Sequence, residues 1–171
     1  RFNKKVDGIP YDAKYIFSEM GYNFLPSEIS AAFALEQLKK LKHNINTRIK
    51  NFNTIFNHFK KYEEFFVLPN EFKGLKTGWL AFPLIIKSQK KILRKNLQIF
   101  LEKNGIQTRT IFTGNILRQP IMKSQFYKKC KDATINSDNV MKNGILIGCH
   151  HGLNSKEIRY MLSKFDQFLL K

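Results

Sequence analysis

Apolar residues recur at alternating steps of three and four through Leu38, Leu41, Ile45, Ile49, Phe52, Phe56 and Phe59, which places them on one stripe of a long helix. Pro26-Ser27-Glu28 marks its start: proline is tolerated in a first turn, Ser27 can cap a free amide, and Glu28 suits the positive end of the helix dipole. Unbroken from Ser27 to Tyr62, such a helix is on the order of 50 Å long, too long for a small globule to hide. After Tyr62 the pattern changes to short apolar runs between turns. Phe65 to Leu68, Trp79 to Ile86, Ile106 to Phe112 and Gly144 to Cys149 predict strands. Lys90 to Lys103 carries Ile92, Leu93, Leu97, Phe100 and Leu101 on one helical face, and Ser124 to Met141 is a less regular helix candidate. Ser155-Lys156-Glu157 opens a final helix with an Ile158, Met161, Leu162, Phe165, Phe168 and Leu169 stripe.

The organisation this predicts is an irregular lead-in over residues 1–26, with turn signals at Asp7-Gly8 and Ile9-Pro10, a long linking helix over 27–64, and a small domain over 65–171. The fold class is α+β, with helices covering one face of a short sheet. No internal repeat is present.

Composition changes this picture in one respect. The 171 residues are 43% hydrophobic and 13% aromatic, enough for a core and too much for a disordered tail. The net charge of +17 would draw nucleic acid, an acidic membrane surface or a phosphorylated metabolite. Only six of the 30 basic residues are Arg, whereas specific readers of nucleic acid lean on the planar guanidinium. RNP-like aromatics, a helix-turn-helix pair and a zinc framework are all missing from the sequence. A free-standing basic nucleic-acid-binding module is therefore the rival reading. The longest apolar stretch, Gly78 to Ile86, contains a proline and falls far below the ~18 residues of a membrane span. Two cysteines, Cys130 and Cys149, cannot make a disulfide scaffold, which points to a reducing, cytoplasmic compartment. The first residue, Arg1 rather than Met, suggests a processed product or a piece of something longer.

Three segments could carry chemistry. Cys149-His150-His151 invites a metal reading, with Cys130 as a fourth ligand. Consecutive strand residues point to opposite faces, however, and no second spaced Cys or His pair exists, so no metal is expected. His150 or His151, before Gly152, could instead donate a hydrogen bond to a phosphate or hydroxyl, or be a solvated loop histidine. Gln107 to Asn115 ends a strand in a polar turn, where Arg109 could hold an anion and Asn115 a sugar hydroxyl, or where both could be structural. Gly21-Tyr22-Asn23 is a turn that could help hold an anion at the helix start. No Gly-rich phosphate loop, nucleophile elbow, zinc-protease motif or activated lysine appears, so no catalytic residue is assigned.

Gly21-Tyr22-Asn23-Phe24-Leu25-Pro26-Ser27-Glu28, with Leu35-Glu36-Gln37-Leu38 in the helix after it, resembles the Gly-Tyr-Asn segment of the DegT/DnrJ/EryC1/StrS nucleotide-sugar aminotransferases and dehydrases. Gly105-Ile106-Gln107-Thr108-Arg109, Phe112-Thr113-Gly114-Asn115, Arg118-Gln119-Pro120 and Gly148-Cys149-His150-His151-Gly152-Leu153 resemble more narrowly the sugar 3-dehydrase branch. The resemblance implies the carboxy-terminal small domain of a fold-type-I enzyme using pyridoxal 5'-phosphate or pyridoxamine 5'-phosphate. It implies a nucleotide-diphosphate sugar as substrate, a homodimer, and a role in deoxy- or amino-sugar synthesis for lipopolysaccharide. The family's Schiff-base lysine, or the histidine that replaces it among 3-dehydrases, belongs to a large domain preceding the Gly-Tyr-Asn segment. This chain alone is therefore expected to bind no cofactor. The resemblance assigns Asn23 to the cofactor phosphate of the partner subunit. Leu25 stands where the family commonly has a basic residue, and two cysteines cannot supply the four ligands of an iron–sulfur cluster.

Overall fold

A computed structural model describes residues 4–22, 24–70, 72–87, 92–128 and 134–170. The chain divides into two compact units, 1–39 and 40–171, so the division falls inside the long helix rather than at its ends.

The first unit departs from the expected irregular lead-in. Lys4–Val6 (β1) and Ile9–Tyr11 (β2) form an antiparallel hairpin with Val6 opposite Ile9. Its two-residue loop has Asp7 at φ 50° and Gly8 at φ 82°, the left-handed pair that matches the twist of a hairpin. The Asp7-Gly8 turn signal was thus a hairpin signal, despite strands too short to show a period. Ala13–Tyr15 follows as a 3₁₀ turn, with Asp12 accepting the Lys14 N–H at 3.1 Å.

Glu28–Phe59 (α1) is the long helix, closed by a 3₁₀ turn over Lys60–Tyr62. Its apolar stripe has two fates. Phe52, Ile55 and Phe59 are buried, while Leu38 and Leu41 are exposed. In the second unit Phe66–Val67 (β3), Ala81–Ile86 (β4), Thr108–Arg109 (β5) and Gly144–Gly148 (β6) make an antiparallel sheet in the order β3-β4-β6-β5. Alternation along β4 buries Phe82, Leu84 and Ile86, and on β6 Ile147 stands between Phe82 and Thr108 on the same face. Three helical segments cover that face: the end of α1, Arg94–Lys103 (α2) through Leu97 and Leu101, and Ser155–Leu169 (α4) through Ile158, Met161, Leu162 and Phe165. Phe59 is central, with ring centroids 5.5 Å from Phe66, 5.9 Å from Phe82 and 4.9 Å from Phe165. The α+β class, a small sheet with helices packed on it, is as the sequence predicts.

Two elements depart most from the predicted bounds. The strand expected over Ile106 to Phe112 is only Thr108–Arg109. Gly114 N–H closes a turn onto Ile111 C=O at 3.0 Å, and Phe112 takes φ 44°, so the β-branched run is bent away from β6 at once. The helix expected over Ser124 to Met141 is Ile135–Asn143 (α3), preceded by a 3₁₀ turn at Pro120–Ser124. Cys130 lies outside the described residues.

Candidate functional site

A groove of about 750 Å³ opens beside β5, between the Gly105–Gln107 segment that leads into it, the end of β6 and the first turns of α4. Its floor is aliphatic, with Leu80, Leu146, Leu153 and Met161, and its polar lining includes Arg109, His150 and Lys156. The register sets Arg109 opposite Leu146, on the face of the sheet away from the helices. Arg109 donates to Thr108 C=O at 3.2 Å, and with the Gln107 amide assigned so that its oxygen faces the guanidinium, that oxygen accepts from it at 2.8 and 3.3 Å.

Two other polar groups of the groove are occupied by the fold. Glu157 accepts the Asn154 N–H at 2.7 Å, completing a capping box at the start of α4, and Tyr160 donates to Asn104 C=O at 3.0 Å. The groove thus pairs an apolar floor with cationic and hydrogen-bond-donating groups. That combination suits an anion carrying an apolar or planar body.

His150 is positioned by the turn between β6 and α4. Leu153 N–H donates to His150 C=O at 3.1 Å, and Gly152 N–H donates to His150 Nδ1 at 3.2 Å. An Nδ1 that accepts leaves the proton of the neutral ring on Nε2, so the ring presents a donor.

His151 goes elsewhere: its Nδ1 accepts from Arg48 Nε at 3.2 Å, and it does not line the groove. Side by side in sequence, the two histidines face different neighbours. Cys149 is buried beneath them, with Sγ 3.5 Å from Trp79 C=O, and burial pushes its thiol up to about 12. Such a thiol stays protonated and is a poor metal ligand. Among the described residues no cluster of three His, Cys, Asp or Glu side chains could hold a metal ion.

Asn115 is also placed differently from its expected role as a sugar contact. It is buried, its amide NH₂ donates to Asp138 Oδ1 at 2.7 Å, and its oxygen accepts the Leu117 N–H at 3.0 Å. Both ends of the amide therefore hold the 113–118 turn against α3. Asn23, the expected cofactor-phosphate contact, lies outside the described residues. Sequence reasoning missed Lys156, one lysine among many, and Asn51, which sits on the buried face of α1 and reaches the His150 turn. Only the break that Asn51 makes among apolar positions could have flagged it.

Pyridoxal phosphate, implied by the resemblance, needs a desolvated amine or its substitute at the ring and a cradle for the phosphate. Among the described residues no lysine is buried, and the groove is lined by exposed cations around an aliphatic floor. These residues do not form a cofactor pocket, and no step through the cofactor follows from them.

Known proteins give the same picture of the fold and its kin. The pattern of the DegT/DnrJ/EryC1/StrS aminotransferase family matches residues 4–166. The chain is 32% identical over 170 residues to the "Lipopolysaccharide biosynthesis protein RfbH" of Salmonella typhimurium, covering 98% of this chain and 39% of that protein. It is 31% identical to the "dTDP-4-dehydro-2,6-dideoxy-D-glucose 3-dehydratase" of Saccharopolyspora spinosa, covering 100% of this chain and 37% of that one. The solved structure described as "E coli GDP-4-keto-6-deoxy-D-mannose-3-dehydratase with bound hydrated PLP" superposes with a TM-score of 0.78 at 31% identity, covering 96% of this chain and 42% of that one. The chain spans about two fifths of the length of these relatives. Among the described residues no helix is long and apolar enough to cross a membrane. With its small helix-covered sheet shared with a fold-type-I enzyme and its sequence matched almost end to end, this chain belongs to the DegT/DnrJ/EryC1/StrS aminotransferase family.

Proposed function

We propose that the chain is the carboxy-terminal small domain of a nucleotide-sugar 3-dehydratase or aminotransferase, with the 3-dehydratase reading ahead. The parent enzyme uses pyridoxal or pyridoxamine phosphate and makes deoxy- or amino-sugars for lipopolysaccharide. When bound in that parent, the cofactor supplies an electron sink for the reacting sugar. This chain contributes substrate binding. Arg109 takes the diphosphate as a charge-assisted partner, His150 Nε2–H donates to a phosphate or hydroxyl oxygen, and the aliphatic floor packs against the apolar body of the ligand.

One observation carries this reading: Arg109 and His150, from two motifs far apart in the chain, line a single groove. Titrating the chain with GDP, dTDP, UDP and inorganic pyrophosphate, against the unphosphorylated nucleosides, tests it. Diphosphates should bind more tightly than nucleosides, and Arg109→Ala should weaken them about tenfold, the size of one lost bond to a charged group. Equal binding of nucleosides and diphosphates, or an Arg109→Ala variant that binds like wild type, would remove the assignment.

The homodimer and the role of Asn23 belong to the same proposal. In a full-length heterodimer with one usable cofactor site, Asn23→Ala should weaken cofactor binding only when it sits in the subunit opposite that site. Equal affinity in both arrangements would leave Asn23 as a turn residue. A cytoplasmic location goes with this reading and with the free, buried Cys149 thiol.

A further inference from the structure

The geometry points to Asn51 as the positioning residue that presents His150 to the groove. This rests on the reading of the groove as a diphosphate site. Asn51 lies on α1 and is 7% exposed. Its amide NH₂ donates one hydrogen to His150 C=O at 3.0 Å and the other to Leu153 C=O at 3.1 Å. These two carbonyls bracket the turn, and His150 C=O also accepts the Leu153 N–H that closes it. One side chain therefore clamps both ends of a four-residue turn. The Gly152 N–H to His150 Nδ1 bond sits inside that clamp and orients the ring against Gly148.

Three residues earlier on α1, about one helical turn, Arg48 holds His151 through Nε at 3.2 Å. The same helix thus draws His151 to itself while leaving His150 to the groove. Both amide hydrogens of Asn51 are used, on the two carbonyls that define where the ring of His150 stands.

The test is a double-mutant cycle on the 171-residue chain, read as pyrophosphate affinity by NMR titration, with amide exchange at Gly152 and Leu153 as a second readout. Asn51→Ala and His150→Ala should each weaken pyrophosphate about tenfold, and the double variant should be no weaker than either. Non-additivity of this kind is the mark of one residue acting through another. In Asn51→Ala the Gly152 and Leu153 amides should lose protection while those of Ile145 and Ile147 in β6 keep theirs.

Additive losses, an Asn51→Ala variant that binds like wild type, or unchanged exchange at Gly152 and Leu153 would each overturn the assignment. Should Asn51→Ala not fold, the cycle is run with Asn51→Ser, which keeps a donor. If neither folds, Asn51 holds the core rather than the histidine, and the proposal falls. Failure of wild type to bind pyrophosphate at all would instead overturn the groove reading. The exchange measurement would still decide whether Asn51 holds the turn.

Discussion

Asp138 accepts from Arg118 Nη2 at 2.7 Å and Nε at 3.0 Å, and from the Asn115 amide at 2.7 Å. The Arg118 bonds, then that of Asn115, hold its carboxyl down to about 2. A carboxyl whose folded value lies below its unfolded one stabilises the fold above the unfolded pKa, near 3.9, and loses that contribution as the pH falls through the folded value. Stability should therefore drop between about pH 4 and pH 2, and Asp138→Asn should flatten that limb in urea denaturation series. An unchanged limb would mean the pair does not persist in solution. Gly114 makes a second demand at this scale. It holds φ 65°, and a Cβ there would stand 2.5 Å from Met141 Cβ and 2.8 Å from its Cα. Gly114→Ala should cost about 1–3 kcal/mol, seen as a lower urea midpoint at constant m-value.

Among the elements, α4 has the clearest local definition. Asn154 accepts the N–H groups of Lys156 at 2.8 Å and Glu157 at 3.1 Å, and Glu157 returns the bond to Asn154 N–H at 2.7 Å. Asn154→Ala should cost about 1 kcal/mol, a fall in Tm of about 2–4 °C; a smaller shift would mean that packing of Phe165 and Ile158 alone sets the helix start. Strand β5 is defined the other way, by its surroundings. Glu102 Oε1 of α2 accepts both the Thr108 N–H at 2.6 Å and its hydroxyl at 2.8 Å, and these two bonds hold the Glu102 carboxyl below its ordinary range. The outer edge of the sheet is covered by a side chain rather than by another strand.

For the whole molecule, the stripe along α1 divides into a part buried in the core and a part left exposed. Phe52 and Phe59 belong to the core and are closed to any partner, whereas Ile29, Phe33, Leu38 and Leu41 remain exposed. Phe59→Ala should therefore destabilise by about 3–5 kcal/mol. The exposed residues should drive self-association, and the paired change Leu38→Lys and Leu41→Lys should shift the chain toward monomer in sedimentation experiments. A wild-type chain that sediments as a monomer at all concentrations would remove this stripe as the homodimer surface. The charge of +17 adds a salt-dependent attraction to any polyanion, so competition by duplex DNA should vanish at high salt before pyrophosphate binding in the groove does.

Periodicity determined α1, α2 and α4, because burial of one helical face is written as a step of three to four along the chain, and short apolar runs between turns marked the core strands. Sequence pattern also singled out Arg109 and the His150 turn as candidates for ligand contact. It did not reveal the hairpin at Asp7-Gly8, whose strands are too short for a period, or the early end of β5, which is set by the turn from Ile111 to Gly114. Tertiary structure alone decided how His150 and His151 divide between a groove and Arg48, and why Asn115 serves Asp138. It also brought Asn51 to a turn about a hundred residues away in the chain. Such choices depend on which donors and acceptors meet after the chain has folded, and hydrogen-bond partners distant in sequence leave no periodic trace in it.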